Sequence, residues 1–437
     1  MTSFAASRRA AAELERLVPG GAHTYAKGDD QYPLDSAPII ARGRGAHVWD
    51  VDGNEFIEYG SGLRSVILGH GHPAVVDAVS ATLARGTNFA RPSIDELVAA
   101  EAFLDAVPTT EMVKFAKNGS DVTTAAVRLA RAITGRSRVA VCQDQPFFST
   151  DDWFIGTTAL AAGIPREVTE LTRRFPYGDL AAVTALFDDP QHDLAALVLE
   201  VETTTEPPEG YLTGLFELAH THGTLVILDE MITGFRWALG GAHSMYGLTP
   251  DLVTFGKAIG NGFSVSALAG RAELMDRGGV RPGTDRVFLL STTHGAESTG
   301  LAALRATIDV CRTEQVSQRL MSIGARLRVE VQAAIDSAGL GEHIVLRGRD
   351  CNLVFATTDA DGHPSQDYRT LFLRELLRHG VLAPSFVVSA AITQEDIDRT
   401  AEAVAAACIL YRTALEGRGP TPWMGGRPVQ PVMRSRG

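Results

Sequence analysis

Three short segments of this chain carry side chains whose types and spacing suit one piece of chemistry. Lys257 ends the apolar run LVTFGK, directly after Gly256, and opens the glycine-rich turn AIGNGF. An amine partly withdrawn from water at a strand end is biased toward its neutral, nucleophilic form, suited to an imine with an aldehyde. Asp229 and Glu230 end TLVILDE; a carboxylate there can pair with a protonated ring nitrogen. Asn118-Gly119-Ser120 follows MVKFAK and starts the helical pattern DVTTAAVRLARAITG. Its first-turn N–H groups, with the Ser120 hydroxyl, form an anion cradle. Each segment has a plainer reading: a surface lysine, a nucleotide-site Asp-Glu or helix cap, an ordinary helix start. A P-loop ATPase is disfavoured, because GxxxxGK[ST] needs Gly at 251 and Ser or Thr at 258, where the chain has Asp251 and Ala258.

Something must bring three such distant segments together. In an open α/β sheet, reactive groups collect at the carboxyl ends of strands. From residue 112 to 300, short β-branched runs alternate with helical patterns: MVKFA (112–116), SRVAVC (137–142), AALVLE (195–200), TLVILDE (224–230), LVTFGK (252–257), SALAG (266–270) and VFLLST (287–292). Several lack polar alternation, as strands buried on both faces do. The fold class expected is α/β, with a large, mostly parallel-sheet domain over 73–300. Residues 1–72 hold a short helix and the hairpin AHVWDVDGNEFIEYG around Asp52-Gly53-Asn54. They are expected to join a smaller α+β domain formed by 301–416, with 417–437 an extended tail.

Composition narrows the function classes. Lys and Arg total 40 against 52 Asp and Glu, a net charge of −12, and no basic run suggests a nucleic-acid or anionic-membrane surface. No apolar stretch approaches the roughly 18 residues of a membrane helix. Glu13 and Glu15 interrupt the place where a signal peptide needs its apolar region. Cys142, Cys311, Cys351 and Cys408 lie far apart with no CxxC, so reduced thiols in a cytoplasmic protein are expected. His70 and His72 lack a third ligand nearby, and no metal is expected.

Amine, carboxylate and cradle together match the three handles of pyridoxal 5′-phosphate (PLP): aldehyde, pyridine nitrogen and phosphate. At this point the chain resembles the class III (ω-type) PLP-dependent aminotransferases of fold type I (aspartate aminotransferase-like), in particular their glutamate-1-semialdehyde aminomutase-like branch. The resemblance runs from Pro19-Gly20-Gly21 to about residue 415. It is carried by PGGAHTY (19–25), VWDVDGNEFIEY (48–59), LGHGHP (68–73), NGSDVTTAAVRLAR (118–131), LDEMITGFR (228–236), PDLVTFGKAIGNG (250–262) and STTHGAE (291–297).

The resemblance implies that Lys257 is the Schiff-base lysine and proton shuttle, and that Asp229 is the partner of the pyridine nitrogen. It implies that Met231 packs on one ring face, that Gly119 and Ser120 bind the phosphate, and that Glu200 matches a glutamate of the family. Thr292, ahead of Thr293, would reach the phosphate of a neighbouring subunit's cofactor, making the protein a homodimer with shared sites. Where the family has Tyr-His-Gly, this chain has Phe147-Phe148-Ser149; Phe147 could still stack on the ring. Val201 and Asp121 are further departures. His23, Tyr25 and Arg64 are candidate substrate contacts, Arg64 for a carboxylate or a sugar-linked anion; Phe89, Arg91 and His294 are looser candidates. The expected activity is transfer of an amino group from an amino-acid donor to a carbonyl of a small polar acceptor, an amino-sugar or aminoglycoside-type intermediate. The alternative on the same machinery is a PLP-dependent isomerase, a 1,2-aminomutase or an epimerase. An intact Lys257 and Asp229 argue against an inactive scaffold.

Overall fold

A computed structural model describes residues 3–145, 147–189, 193–280 and 285–433. Its contacts divide the chain into two units, a large one of residues 64–66 and 73–318 and a smaller one of 1–63, 67–72 and 319–437.

The large unit is built on a seven-stranded sheet: β1 Met112–Ala116, β2 Arg138–Cys142, β3 Thr172–Phe175, β4 Leu194–Leu199, β5 Leu225–Asp229, β6 Leu252–Phe255 and β7 Ser266–Gly270. The spatial order is β1-β7-β6-β5-β4-β2-β3. The β3–β2–β4–β5–β6 pairings are all parallel, and β7 alone runs against its neighbours β6 and β1. The central strands β4 and β5 are buried at every residue, which is why they read as unbroken apolar runs.

Helix α1, Gly119–Thr134, lies on this sheet. Val122, Ala125, Ala126, Leu129 and Ala130 recur at three- and four-residue spacing and form its buried face. Gly135 ends it in the left-handed conformation at φ +67°. Helix α2, Ser298–Thr313, packs against the helices Pro73–Leu83 and Ile94–Ala106 of the same unit. The sequence pattern had grouped α2 with the second domain, but the division falls after Gln318.

Two strand assignments change. VFLLST is not a strand. Val287 and Leu289 are buried and Phe288 is exposed, so its alternation reflects packing on one side without a pairing neighbour. Conversely β3, Thr-Arg-Arg-Phe, is a strand that carries no apolar run, because it lies at the sheet edge.

The smaller unit holds the expected hairpin. His47–Asp50 pairs antiparallel with Glu55–Glu58, and Ile40–Arg44 flanks the first strand. The Asp50 carboxylate accepts the N–H groups of Asp52 (3.0 Å) and Asn54 (2.8 Å), and Gly53 takes φ +88°. Val381–Leu382 adds in parallel beside Glu55–Glu58. A second ribbon pairs Ile344–Arg347 with Val354–Thr357. Among the described residues, no helix is long and apolar enough to cross a membrane.

Candidate active site

Strands β5 and β6 are neighbours in parallel register, with Asp229 opposite Thr254. Asp229 and Lys257 therefore leave the sheet side by side at its carboxyl end. Asp229 is 1% exposed. Its Oδ1 accepts the Met231 N–H at 2.8 Å, whereas its Oδ2 is buried without a hydrogen-bond partner. Burial pushes this carboxyl up to about 7, against the pull of the Lys257 charge and the Met231 N–H. Burial pulls the Lys257 amine down from its ordinary value, with Asp229 and Glu200 opposing and Arg64 assisting. Lys257 also adopts φ +46°, a left-handed conformation that costs a non-glycine residue about 1–3 kcal/mol.

Met231 explains two glycines. A Cβ at Gly119 would lie 2.9 Å from its Sδ, and one at Gly256 would lie 2.6 Å from it. The side chain of Met231 thus joins the start of α1 to the residue before Lys257, and a methyl group at either position would force that side chain to shift.

The N-terminus of α1 has a reciprocal cap. The Asn118 side chain accepts from the Asp121 backbone, and Asp121 Oδ2 accepts the Asn118 N–H at 3.0 Å. Asp121, a departure from the family pattern, therefore serves the cap. The N–H groups of Gly119 and Ser120 lie outside this exchange and face the helix end, where an anion is favoured. Ser120 Oγ accepts the Thr150 N–H at 2.9 Å, which ties the Phe147–Thr150 segment to the cradle.

In that segment the two phenylalanines separate. Phe147 is 41% exposed and Phe148 2%; both pack edge-on against Phe154, with ring centroids 5.7 and 5.5 Å away. Phe148 is a core residue whose carbonyl accepts the Thr123 hydroxyl at 2.8 Å. Phe147 is the aromatic ring left at the surface. Ser149 is buried, with its Oγ 3.0 Å from that of Thr124.

Glu200 lies just past β4. Its carboxyl is pushed up to about 8, first by burial and then by Asp229, with Lys257 and Arg64 pulling the other way. Its Oε2 is buried without a hydrogen-bond partner. Its backbone is clamped by Gln145, whose Nε2 donates to the Glu200 carbonyl and whose Oε1 accepts the Glu200 N–H, both at 2.7 Å. Sequence reading missed Gln145, which lies 55 residues away with no local signal. It also missed the fate of Glu230. That carboxylate accepts from the Thr233 hydroxyl, the Ala242 N–H (2.9 Å) and the His243 N–H (2.8 Å), and lies 2.8 Å from His243 Nδ1.

The structure thus brings together Lys257, Asp229, Glu200 and Arg64 as mutually interacting charges, with Met231 and Gly119 in contact. Thr292 is elsewhere on the same unit. It is exposed in a turn closed by the Gly295 N–H on its carbonyl (3.2 Å), and it lines a cavity of about 430 Å³ with Phe115 and Leu290. His294 Nδ1 is 3.3 Å from Asn88 Nδ2, and Phe89 is half exposed. His23 and Tyr25 belong to the smaller unit and are exposed there; His70 faces Glu58 at 3.2 Å in that unit.

The family model for class-III aminotransferases matches residues 25–407. The chain belongs to the class-III aminotransferase family. Within it, the curated relatives put the chain in the aminomutase-like branch: glutamate-1-semialdehyde 2,1-aminomutase of Thermomicrobium roseum is 36% identical over 411 residues, covering 89% of this chain and 94% of the relative. Among solved structures, the FumI protein of Sphingopyxis sp. MTA144, in its PLP internal aldimine form, has a TM-score of 0.85 at 25% identity, covering 95% of this chain and 99% of that one. An omega-transaminase from Sphaerobacter thermophilus has a TM-score of 0.82 at 26% identity, covering 93% and 98%. The class-III chain accordingly has the α/β architecture of PLP fold type I.

Proposed function

We propose that this class-III chain is a PLP-dependent isomerase of the 1,2-aminomutase type, moving an amino group between carbons of one small polar substrate. The observation that carries PLP dependence is the buried Asp229 Oδ2, which accepts no hydrogen bond, beside a desolvated Lys257 at the adjacent strand end. That is the environment a protonated ring nitrogen completes, and it would draw the Asp229 carboxyl back down from about 7. The reading as an isomerase, in preference to the amino-group transfer to an amino sugar expected first, is supported by the 36% identity with an aminomutase across 89% of the chain.

PLP supplies an aldehyde that carries the substrate amine and a ring that takes up the electron pair left at the amine-bearing carbon. The chain's residues do the rest. Lys257 Nζ would hold the cofactor and, as a free amine, would take the proton from that carbon and move it toward the cofactor. Asp229 Oδ2 keeps the ring nitrogen protonated. Gly119 and Ser120 hold the phosphate, Met231 packs on the ring, and Phe147 offers an aromatic face. Thr292, exposed in its own chain, serves the cofactor of a second copy, so the working unit is a cytoplasmic homodimer.

A second reading, transamination to a carbonyl acceptor, is supported by the likeness to the Sphaerobacter omega-transaminase. The two separate in one experiment. Holoenzyme is given a panel of amino aldehydes and amino ketones with no second substrate, and the products are followed by mass-neutral chromatographic shifts. Sustained turnover supports the isomerase; a single stoichiometric half-reaction, resumed on adding an amino acceptor, supports the transaminase and overturns our first reading.

A further inference from the structure

Strand β4 ends at Leu199, and its ladder with β2 runs as far as Val141 opposite Val198. Beyond that rung a side chain takes the place of a strand. A glutamine amide offers the same pair of groups as a peptide, an N–H donor and a carbonyl acceptor. Gln145 spends both on one residue: Nε2 donates to the Glu200 carbonyl and Oε1 accepts the Glu200 N–H, each at 2.7 Å. A second side chain holds the residue after it. The Tyr177 hydroxyl donates to the Val201 carbonyl at 2.5 Å, while the Tyr177 N–H donates to the Asp144 carboxylate at 2.7 Å. Gln145, Glu200 and Val201 are all buried, so water cannot stand in for these bonds.

The register shows what this clamp presents. Val198 pairs with Ile227 and Leu199 with Leu228, and Asp229 pairs in turn with Thr254. Paired residues of parallel neighbours share a face, and the face alternates along each strand. The next pair in the β4–β5 ladder is therefore Glu200 beside Asp229, on one face at the carboxyl end. Glu200 Oε2 and Asp229 Oδ2 are both buried there without a hydrogen bond. Their proximity is felt in charge as well: after burial, Asp229 is what pushes the Glu200 carboxyl up. The segment that carries Gln145 also reaches the anion cradle, through the Thr150 N–H on Ser120 Oγ at 2.9 Å.

We propose that Gln145 is a positioning residue of the cofactor site: its amide extends the sheet by one rung and so holds the Glu200 carboxyl beside Asp229, the partner of the pyridine nitrogen. This rests on the PLP reading above. Gln145 acts through Glu200 and not on the reacting atoms.

The test compares four holoenzymes, the unaltered chain, Q145M, E200A and the double variant, each titrated spectrophotometrically with PLP bound and each unfolded in urea. Methionine keeps the length of glutamine and makes neither bond. With its peptide released, the Glu200 carboxyl reaches water and ionises more readily among Asp229, Lys257, Arg64 and Glu230, the charges that act on it. An added negative charge favours the protonated form of the Lys257–PLP linkage. Q145M should therefore raise the midpoint of the spectral titration by about 1 pH unit, the low end of what a close opposite charge does. In the E200A background the same substitution should leave the midpoint where it is. Stability in urea should fall with Q145M in both backgrounds, because the Glu200 peptide loses its partners in either. For the amine that the unaltered chain turns over, Q145M should lower kcat by about tenfold to a hundredfold, the scale of a misplaced group, and change KM far less. The proposal is overturned if the midpoint stays or falls while stability drops, the behaviour of a purely structural glutamine. It is equally overturned if the midpoint rises as much without the Glu200 carboxyl as with it. Should Q145M not fold, Q145N, whose amide is a methylene short of the same contacts, is compared in its place and decides in the same way. Failure of the PLP reading looks different: the unaltered chain then takes up no PLP and has no band to titrate.

Discussion

Buried charge in the smaller unit and at the carboxyl end of the large unit's sheet is handled in opposite ways. In the smaller one, Asp396 accepts the Thr393 N–H at 2.9 Å at the head of the last helix and lies 2.9 Å from His47 Nε2. Arg374 grips Asp35 through Nε (2.9 Å) and Nη2 (2.5 Å). Each of these charges meets its complement within the chain. In the large unit, Asp229 Oδ2 and Glu200 Oε2 are withdrawn from water and accept no hydrogen bond. A buried carboxylate oxygen without a partner is costly, so the first arrangement contributes to stability while the second holds a place for something not encoded in the chain. The contrast is sharpest inside one dipeptide, where Asp229 is left open and Glu230 is saturated.

That dipeptide gives the largest expected effects. D229N should lower kcat by at least about a hundredfold to a thousandfold, on the scale of losing one preorganised electrostatic contact, while the thermal melt stays put or rises. E230Q should do the reverse, costing about 3 kcal/mol in urea denaturation because it breaks a buried charged network, with PLP uptake kept by whatever fraction folds. If the two variants had the same profile, the distinction between open and saturated carboxylates would fail.

A smaller effect tests the other side of the comparison. The His47 pKa is raised, first by its hydrogen bond with Asp396 and further by Glu55, against partial burial. A folded pKa above the unfolded one, near 6.5, means that the protonated pair contributes fully below about pH 6.5 and fades as pH rises through the folded value. H47Q should therefore cost about 1 kcal/mol or less at pH 6, the scale of a partly exposed pair, and less at pH 9. Equal losses at both pH values, measured by denaturant titration, would remove the charge-pair account of this region.

How much of this was legible in the sequence follows from what makes each feature local. Buried parallel strands read as unbroken apolar runs, so β4, β5 and β6 were found with Asp229 and Lys257 at or just past their ends. The α1 start was legible because a cap is written in consecutive residues. The edge strand β3 was not, since its two arginines need no burial, and VFLLST misled because one-sided packing imitates a strand. The sequence also could not say that Phe148 turns into the core while Phe147 stays out. Gln145, Glu230 and His243 were missed for a different reason: their roles exist only once the chain has folded back on itself. The left-handed turn at Arg64 is likewise a tertiary product, carried by Arg236, 172 residues along the chain.

The most direct measurement concerns Lys257. Holoenzyme reduced with borohydride, digested and analysed by peptide mass spectrometry should carry the phosphopyridoxyl mass on the peptide containing Lys257, and K257A should lose it while still folding. A label on another lysine, or none on protein purified with excess PLP, would contradict the account.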